Sequence, residues 1–246
     1  MPVALVTGAN GGFGKAIAQR LAIEHRYHVI IGSRNAAEGE AIAASLQQRG
    51  HSASSVQVDL SSDKSIHDAV NRVKEVHGKL HVLINNAAIH LEITEMDMST
   101  RDVLNRTFQT NTIGTAILTE ACLPLLCQAE TPRVVFVPSR NGSIAQSLDK
   151  DWVLYGLEQP AYKASKAALN MLAVRYIAKL EGIGGMVNMV CPGFVKSKMV
   201  DPHPDARPPE MAANRVVEMA TLAKGGPTRT FVDADGAVPW WCVQCS

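Results

Sequence analysis

Neither sign of charge dominates this sequence: 24 Lys and Arg stand against 23 Asp and Glu, for a formal net charge of +1. That balance excludes the broad basic stripe of a nucleic-acid binder and the acidic tail of a disordered chain. No apolar run approaches the length a membrane helix needs, and no basic or long apolar leader precedes the opening VALVTG. Neither a transmembrane span nor a secretory signal is therefore expected. The five cysteines are odd in number and scattered, which speaks against a disulfide framework and for a reducing, cytoplasmic setting. The CVQC ending, Cys242 to Cys245, lacks both a following helix and nearby ligands, so it reads as an incidental tail. In such a setting the sequons at Asn105 and Asn141 read as chance matches. Also missing are a Ser/Pro-rich linker, a fixed-period repeat, a Gly-x-Ser-x-Gly nucleophile elbow and a histidine pair at zincin spacing. No metal is expected, and the eight dispersed histidines read as solvated or hydrogen-bonded.

What is present is a single regular alternation. The chain has 246 residues, 46% of them hydrophobic, enough for one α/β domain with a sizeable core. VALVT, HVIIGS, SVQV, LHVLIN, RVVFVP, MVNMVC and RTFV read as strands, mostly apolar throughout, as strands covered on both faces are. Between them lie helical periodicities such as Phe13, Ile17 and Leu21, or Leu169, Leu172 and Tyr176. Strand and helix in alternation predict an α/β fold: a Rossmann-like, doubly wound parallel sheet of about seven strands, one domain over residues 1–246. The least regular stretches, near 141–159 and 194–210, are expected to overhang the carboxyl edge of the sheet as substrate loops.

Two motifs carry chemistry. Directly after the first strand comes TGANGGFG, where Gly8, Gly12 and Gly14 permit a tight turn, close approach of a pyrophosphate, and close packing of helix on strand. Later comes PAYKASKAAL, with Pro160 marking a first helical turn and Tyr162 and Lys166 one turn apart on the same face. A phenol beside an ammonium can serve as an acid or a base. A free phenol, with a pKa of about 10, serves poorly near neutrality. An ammonium ~5 Å away at an effective dielectric of ~20 favours phenolate by ~3 kcal/mol. That is about two pKa units before desolvation pushes back.

The glycine spacing, NNAA over 85–88, the serine of PSRNG, YKASK and CPGFVKSKM resemble the short-chain dehydrogenase/reductase family over nearly the whole chain. Within it, GSRN and the FVDADGAVPWW ending look most like the carbonyl-reductase branch. Ala88 departs from the family, which usually has glycine there, at a cost if that position needs positive φ. The resemblance implies a nicotinamide cofactor held by Gly8, Asn10, Gly12, Phe13 and Gly14, with Asp59 and Leu60 bordering the adenine and Asn86 near its ribose. It also implies a closing loop of Pro192, Gly193, Val195 and Ser197. Tyr162 would be the acid, Lys166 would hold the nicotinamide ribose as well, Ser139 would hold the substrate oxygen, and Asn111 would bend its helix and keep a proton-relaying water. Ser143 is the lesser substitute for Ser139. Phe194, Met199, Trp152 and Tyr155 are candidates for an apolar substrate pocket.

The second strand ends in Ser33 and Arg34, with no carboxylate before Glu38. A guanidinium there suits the extra phosphate of NADP(H), although Gly11 stands where many relatives have a second basic residue. The expectation is an NADP(H)-dependent oxidoreductase acting on a ketone, aldehyde or secondary alcohol of a small, largely apolar molecule. Two alternatives stay open: a catalytically silent dinucleotide-binding sensor or scaffold, and a dehydratase or cyclase on the same fold. The family often forms homodimers through the helices carrying Asn111 and Tyr162.

Overall fold

In the computed structural model, residues 1–95, 97–196 and 205–240 are described. In chain order they form β1 (Val3–Thr7), α1 (Gly12–Ile23), β2 (His28–Ser33), α2 (Ala36–Gln48), β3 (Ala53–Gln57), α3 (Asp63–His77), β4 (Val82–Asn85), α4 (Leu91–Thr94) and α5 (Thr100–Phe108). A π-helical segment, Gln109–Gly114, then leads into α6 (Thr115–Leu126) and β5 (Arg133–Phe136). A 3-10 turn, Arg140–Gly142, precedes α7 (Ile144–Leu148), α8 (Pro160–Glu181), β6 (Met186–Val190), α9 (Pro209–Ala212), α10 (Asn214–Ala220) and β7 (Phe231–Val232).

The seven strands lie in one sheet in the order β3-β2-β1-β4-β5-β6-β7, and every pairing is parallel. The cause is visible strand by strand. In β1, Val3 and Leu5 face one apolar layer while Ala4 and Val6 face the other, because successive side chains point to opposite faces. In β5 the same alternation sends Val134 and Phe136 to the first layer and Val135 to the second. Residues of α3, α6 and α8 fill the first layer, and residues of α1, α2 and α10 fill the second. Sheet order reverses between β1 and β4, so the loops leaving their carboxyl ends diverge and open a crevice at the sheet edge.

Seven strands were expected and seven are found among the described residues, each overlapping its sequence-read run, although β3 begins two residues earlier at Ala53 and β7 contracts to Phe231–Val232. Neither stretch expected to be irregular is wholly so. Residues 140–148 form two short helical turns, and Val195 bridges Arg207 in parallel, pinning the two ends of the second loop. Ala88 is not among the non-glycine residues with positive φ, so the alanine carries no backbone strain there. Among the described residues, no helix is long and apolar enough to cross a membrane, and no group of three or more His, Cys, Asp or Glu could hold a metal.

Candidate active site at the carboxyl edge

The glycine loop begins where β1 ends. Gly8 takes φ of +64°, a left-handed turn that a side chain would strain. A Cβ on Gly14 would stand 2.2 Å from the Gly8 carbonyl oxygen, so only glycine lets α1 pack this close to the strand end. Gly11 and Gly12 have open space where a Cβ would lie. The first turn of α1 has no side-chain cap and no acidic residue, which leaves its amides and positive dipole end to an outside anion. A dinucleotide pyrophosphate fits this cradle in charge and in space. Asn10 and Phe13 lie on the same loop and turn, both partly exposed.

Asn86 sits opposite. Its side-chain amide donates to the Thr7 carbonyl at 2.8 Å and reaches the Gly8 carbonyl at 3.4 Å, so it ties the β4 loop to the glycine loop. Arg34 is exposed at the end of β2, whereas Ser33 beside it is buried and donates to the Asn35 carbonyl. Glu38 accepts a hydrogen bond from the Asn10 amide at 2.5 Å. A carboxylate thus does reach this edge, from helix α2 rather than from the strand. Asp59 accepts from the backbone and hydroxyl of Ser61, and Leu60 is buried beside it.

The chemical end assembles from four elements. Pro160 occupies the first turn of α8 as expected. Tyr162 and Lys166 share one face of that helix, with the Lys166 Nζ 5.5 Å from the centroid of the Tyr162 ring. Lys166 is buried and donates to the Val137 carbonyl at 3.0 Å. Ser139 follows β5 and lies near enough to the phenol of Tyr162 to favour its ionised form, while its Oγ accepts from the Asn141 amide. The turn carrying Ser139 is fixed from both sides: Arg140 pairs with the buried Asp233, and a Cβ on Gly142 would meet the Lys166 backbone at 2.6 Å. Ser143 is already committed, capping α7 and donating to the Pro239 carbonyl. Ser139 is therefore the serine that reaches the phenol.

Asn111 lies in the π-helical segment rather than in a plain α-helix. Its carboxamide accepts from the Ile89 amide at 2.8 Å and donates to the Ile89 carbonyl and to Ser165 Oγ. The side chain clamps the β4 loop against α8, which accounts for an asparagine where helix propensity disfavours it.

The electrostatics depart from the expectation of an acidified phenol. Burial, with smaller contributions from Cys191 and Glu92, raises the Tyr162 pKa above its ordinary value, against the lowering influence of Ser139. Part of the Tyr162 surface remains open to the crevice, but the surrounding protein removes enough water to disfavour phenolate. Burial also lowers the Lys166 ammonium, to about 8. Desolvation thus acts on both partners and outweighs their attraction.

Pro192, Gly193 and Val195 follow β6 in the expected closing loop; Gly193 has φ of +69° and open space beside it. Ser197 and Met199 lie outside the described residues. Trp152 lies under the Lys163 ammonium, 5.9 Å from ring centroid to Nζ, and Tyr155 is exposed.

Two neighbours of the tyrosine escaped the sequence reading. The His90 ring stacks on the Tyr162 ring with centroids 4.0 Å apart and an 18° tilt. The Glu92 carboxylate accepts from the backbone amides of Ala161 and Tyr162 at 2.7 and 3.2 Å. Their only trace in the sequence is IHLE directly after NNAA, and nothing local says that those side chains meet a helix some 70 residues onward.

A seven-stranded parallel sheet with a glycine-rich crevice at its switch point defines a Rossmann-type, dinucleotide-binding class. The family model for short chain dehydrogenase matches residues 2–208, and the chain belongs to this family of oxidoreductases, which bind a nicotinamide dinucleotide. The short-chain dehydrogenase anuI of Penicillium roqueforti is 32% identical over 235 residues, covering 94% of this chain and 92% of its own. The short-chain dehydrogenase/reductase ATR10 of Stachybotrys chlorohalonatus is 32% identical, with 97% and 94% covered. Among solved structures, NADPH-bound carbonyl reductase from chicken fatty liver aligns with a TM-score of 0.83 at 25% identity, covering 98% of this chain and 100% of that one.

Proposed function

We propose that this protein is a cytoplasmic NADP(H)-dependent oxidoreductase that interconverts a ketone or aldehyde and the matching alcohol on a small, largely apolar molecule. A bound nicotinamide supplies or accepts the hydride. The observation that carries the reading is the grouping of Tyr162, Ser139 and Lys166 on a sheet whose first strand leads into the uncapped first turn of α1.

In this reading the Tyr162 hydroxyl holds the proton that a forming alkoxide needs, and Ser139 holds the substrate oxygen against it. A phenol whose pKa is raised keeps its proton at neutral pH, which suits the acid role in reduction. Lys166, whose pKa of about 8 leaves it mostly protonated at neutral pH, supplies a positive charge as negative charge develops on the phenol oxygen. Asn111 keeps the β4 loop fixed to α8, so the crevice wall and the acid move together. Gly8, Asn10, Gly12, Phe13 and Gly14 would hold the pyrophosphate side, Asp59, Leu60 and Asn86 the adenosine side, and Pro192, Gly193, Val195 and Ser197 the nicotinamide side.

Support for NADP(H) comes from the exposed Arg34 guanidinium, which can grip a phosphate with two hydrogen bonds. Glu38, the nearest carboxylate in the sequence, is engaged by Asn10. The carbonyl reductase aligned above is described with NADPH bound. Support for an apolar substrate comes from the exposed Ile144, Leu148, Val153 and Tyr155 in the 141–159 loop, which would cover a small molecule at the crevice mouth. A thermal-shift comparison tests the cofactor half: NADPH should raise the melting temperature more than NADH. Equal shifts would retract the role given to Arg34. Consumption of NADPH with a panel of apolar ketones and aldehydes tests the other half, and no turnover with any of them would favour a silent binding protein.

A further inference from the structure

The first turn of α8 has no cap of its own. Gln159 stands at the N-cap position and makes no side-chain capping bond, and Pro160 supplies no amide. The two amides exposed next, those of Ala161 and Tyr162, are taken by one oxygen of Glu92, an acid brought in from α4. A carboxylate at the positive end of a 22-residue helix is held by dipole and hydrogen bonds together. One of the amides so held belongs to the tyrosine itself, so the cap fixes the backbone from which the phenol projects.

His90, two residues earlier, does the same for the ring. It is 5% exposed and lies parallel to the phenol at van der Waals separation, so the tyrosine cannot swing toward it. Its Nε2 and the second oxygen of Glu92 are both buried without a partner and lie 3.8 Å apart. They face each other just beyond hydrogen-bond range, and a small shift closes the pair. The charged and titratable groups around His90 are Glu92 on its own segment and Tyr162 and Lys166 on α8.

We propose that Glu92 and His90 are positioning residues: Glu92 caps the helix that carries Tyr162, His90 braces the phenol ring, and together they hold the acid at its working angle. The inference rests on the reading of Tyr162 as the acid, and the test separates the two. Four variants are compared with the parent protein: Glu92→Ala, Glu92→Gln, His90→Ala and His90→Phe. Glu92→Ala should lower kcat by roughly 10- to 100-fold, the scale of a misplacement of about 1 Å, with the KM for NADPH little changed. Glu92→Gln, which keeps an acceptor for both amides, should recover most of that loss. His90→Phe, which keeps the stack, should likewise outperform His90→Ala.

Amide hydrogen exchange over residues 160–166 gives a readout independent of turnover: faster in Glu92→Ala, near the parent in Glu92→Gln. If Glu92→Ala lowers the melting temperature while kcat of the folded enzyme stays at the parental value, the positioning role is refuted and the cap is merely structural. Equal kcat losses in the alanine and glutamine variants refute it as well, because they would trace the effect to charge rather than to the cap. A Tyr162→Phe control that keeps turnover would instead unseat the acid assignment, while the exchange result on the first turn of α8 would stand.

Discussion

Lys166 and Tyr162 meet across one turn of α8 with the ammonium 5.5 Å from the ring centroid, yet the ammonium's hydrogen bond goes to the Val137 carbonyl at 3.0 Å. The ammonium lies over the ring, and both groups are desolvated. A protonated phenol beside an ammonium whose pKa is lowered to about 8 is the resting state this geometry favours. Lys166→Met should therefore lower kcat more at pH 7 than at about pH 9, where the parent lysine is largely neutral already. A parallel loss at all pH values would show that its charge is not what matters.

Gly14 tests the cradle. With a Cβ 2.2 Å from the Gly8 carbonyl, Gly14→Ala must push the start of α1 off the strand end. Overpacking of this kind costs about 1–3 kcal/mol. The variant should melt lower and lose most of its NADPH-induced shift, whereas Gly11→Ala, with open space at its Cβ, should cost far less stability. Thermal denaturation with and without cofactor checks both.

Asn111 tests the clamp. Replacing it with alanine removes the side-chain partner of the Ile89 amide and carbonyl and one of the two hydrogen bonds of the Ser165 hydroxyl. An unsatisfied buried polar group costs about 1–3 kcal/mol. For a chain of this length each kcal/mol lowers the melting temperature by about 2–4 °C. Urea denaturation of Asn111→Ala should give a reduced midpoint together with a reduced kcat.

Acid tests the histidines. Burial lowers the pKa of His28, His77, His81 and His90 below the ordinary value. The unfolded chain therefore binds more protons than the folded one just below pH about 6.5, and stability falls as pH drops through the folded values. The melting temperature should be lower at pH about 5.5 than at about 7.5, and His90→Phe should narrow that difference.

The sheet was legible because its strands are apolar on both faces and its glycine loop falls between a strand and a helix. The shared helix face of Tyr162 and Lys166 was legible because the two lie one turn apart, and the fold keeps that geometry. Four things were not. The π-helical turn at Asn111 depends on Ile89 and Ser165, which are distant in sequence. Glu92 acts on a helix 69 and 70 residues onward, and only the chain's path reveals that cap. The phenol's raised pKa reflects the water removed around it, which a two-residue Coulomb argument cannot contain. The Glu38 contact with Asn10 belongs with these, since a count along β2 could not foresee an acid arriving from α2.

Arg34 tests the cofactor edge. Charge-assisted hydrogen bonds are worth about 1.5–3 kcal/mol, so Arg34→Ala should weaken NADPH binding by roughly ten- to a hundredfold. NADH binding, which lacks the extra phosphate, should change little. Titration calorimetry with each nucleotide resolves the two outcomes, and an equal loss for both would place the guanidinium elsewhere than on that phosphate.

The most direct test of the whole account is carbonyl reduction by Tyr162→Phe, measured beside NADPH binding to the same protein. Removing a general acid should cost roughly 10²- to 10⁴-fold in kcat while the dissociation constant for NADPH stays near the parental value. A variant that still reduces its carbonyl substrate at the parental rate would contradict the placement of the proton on Tyr162.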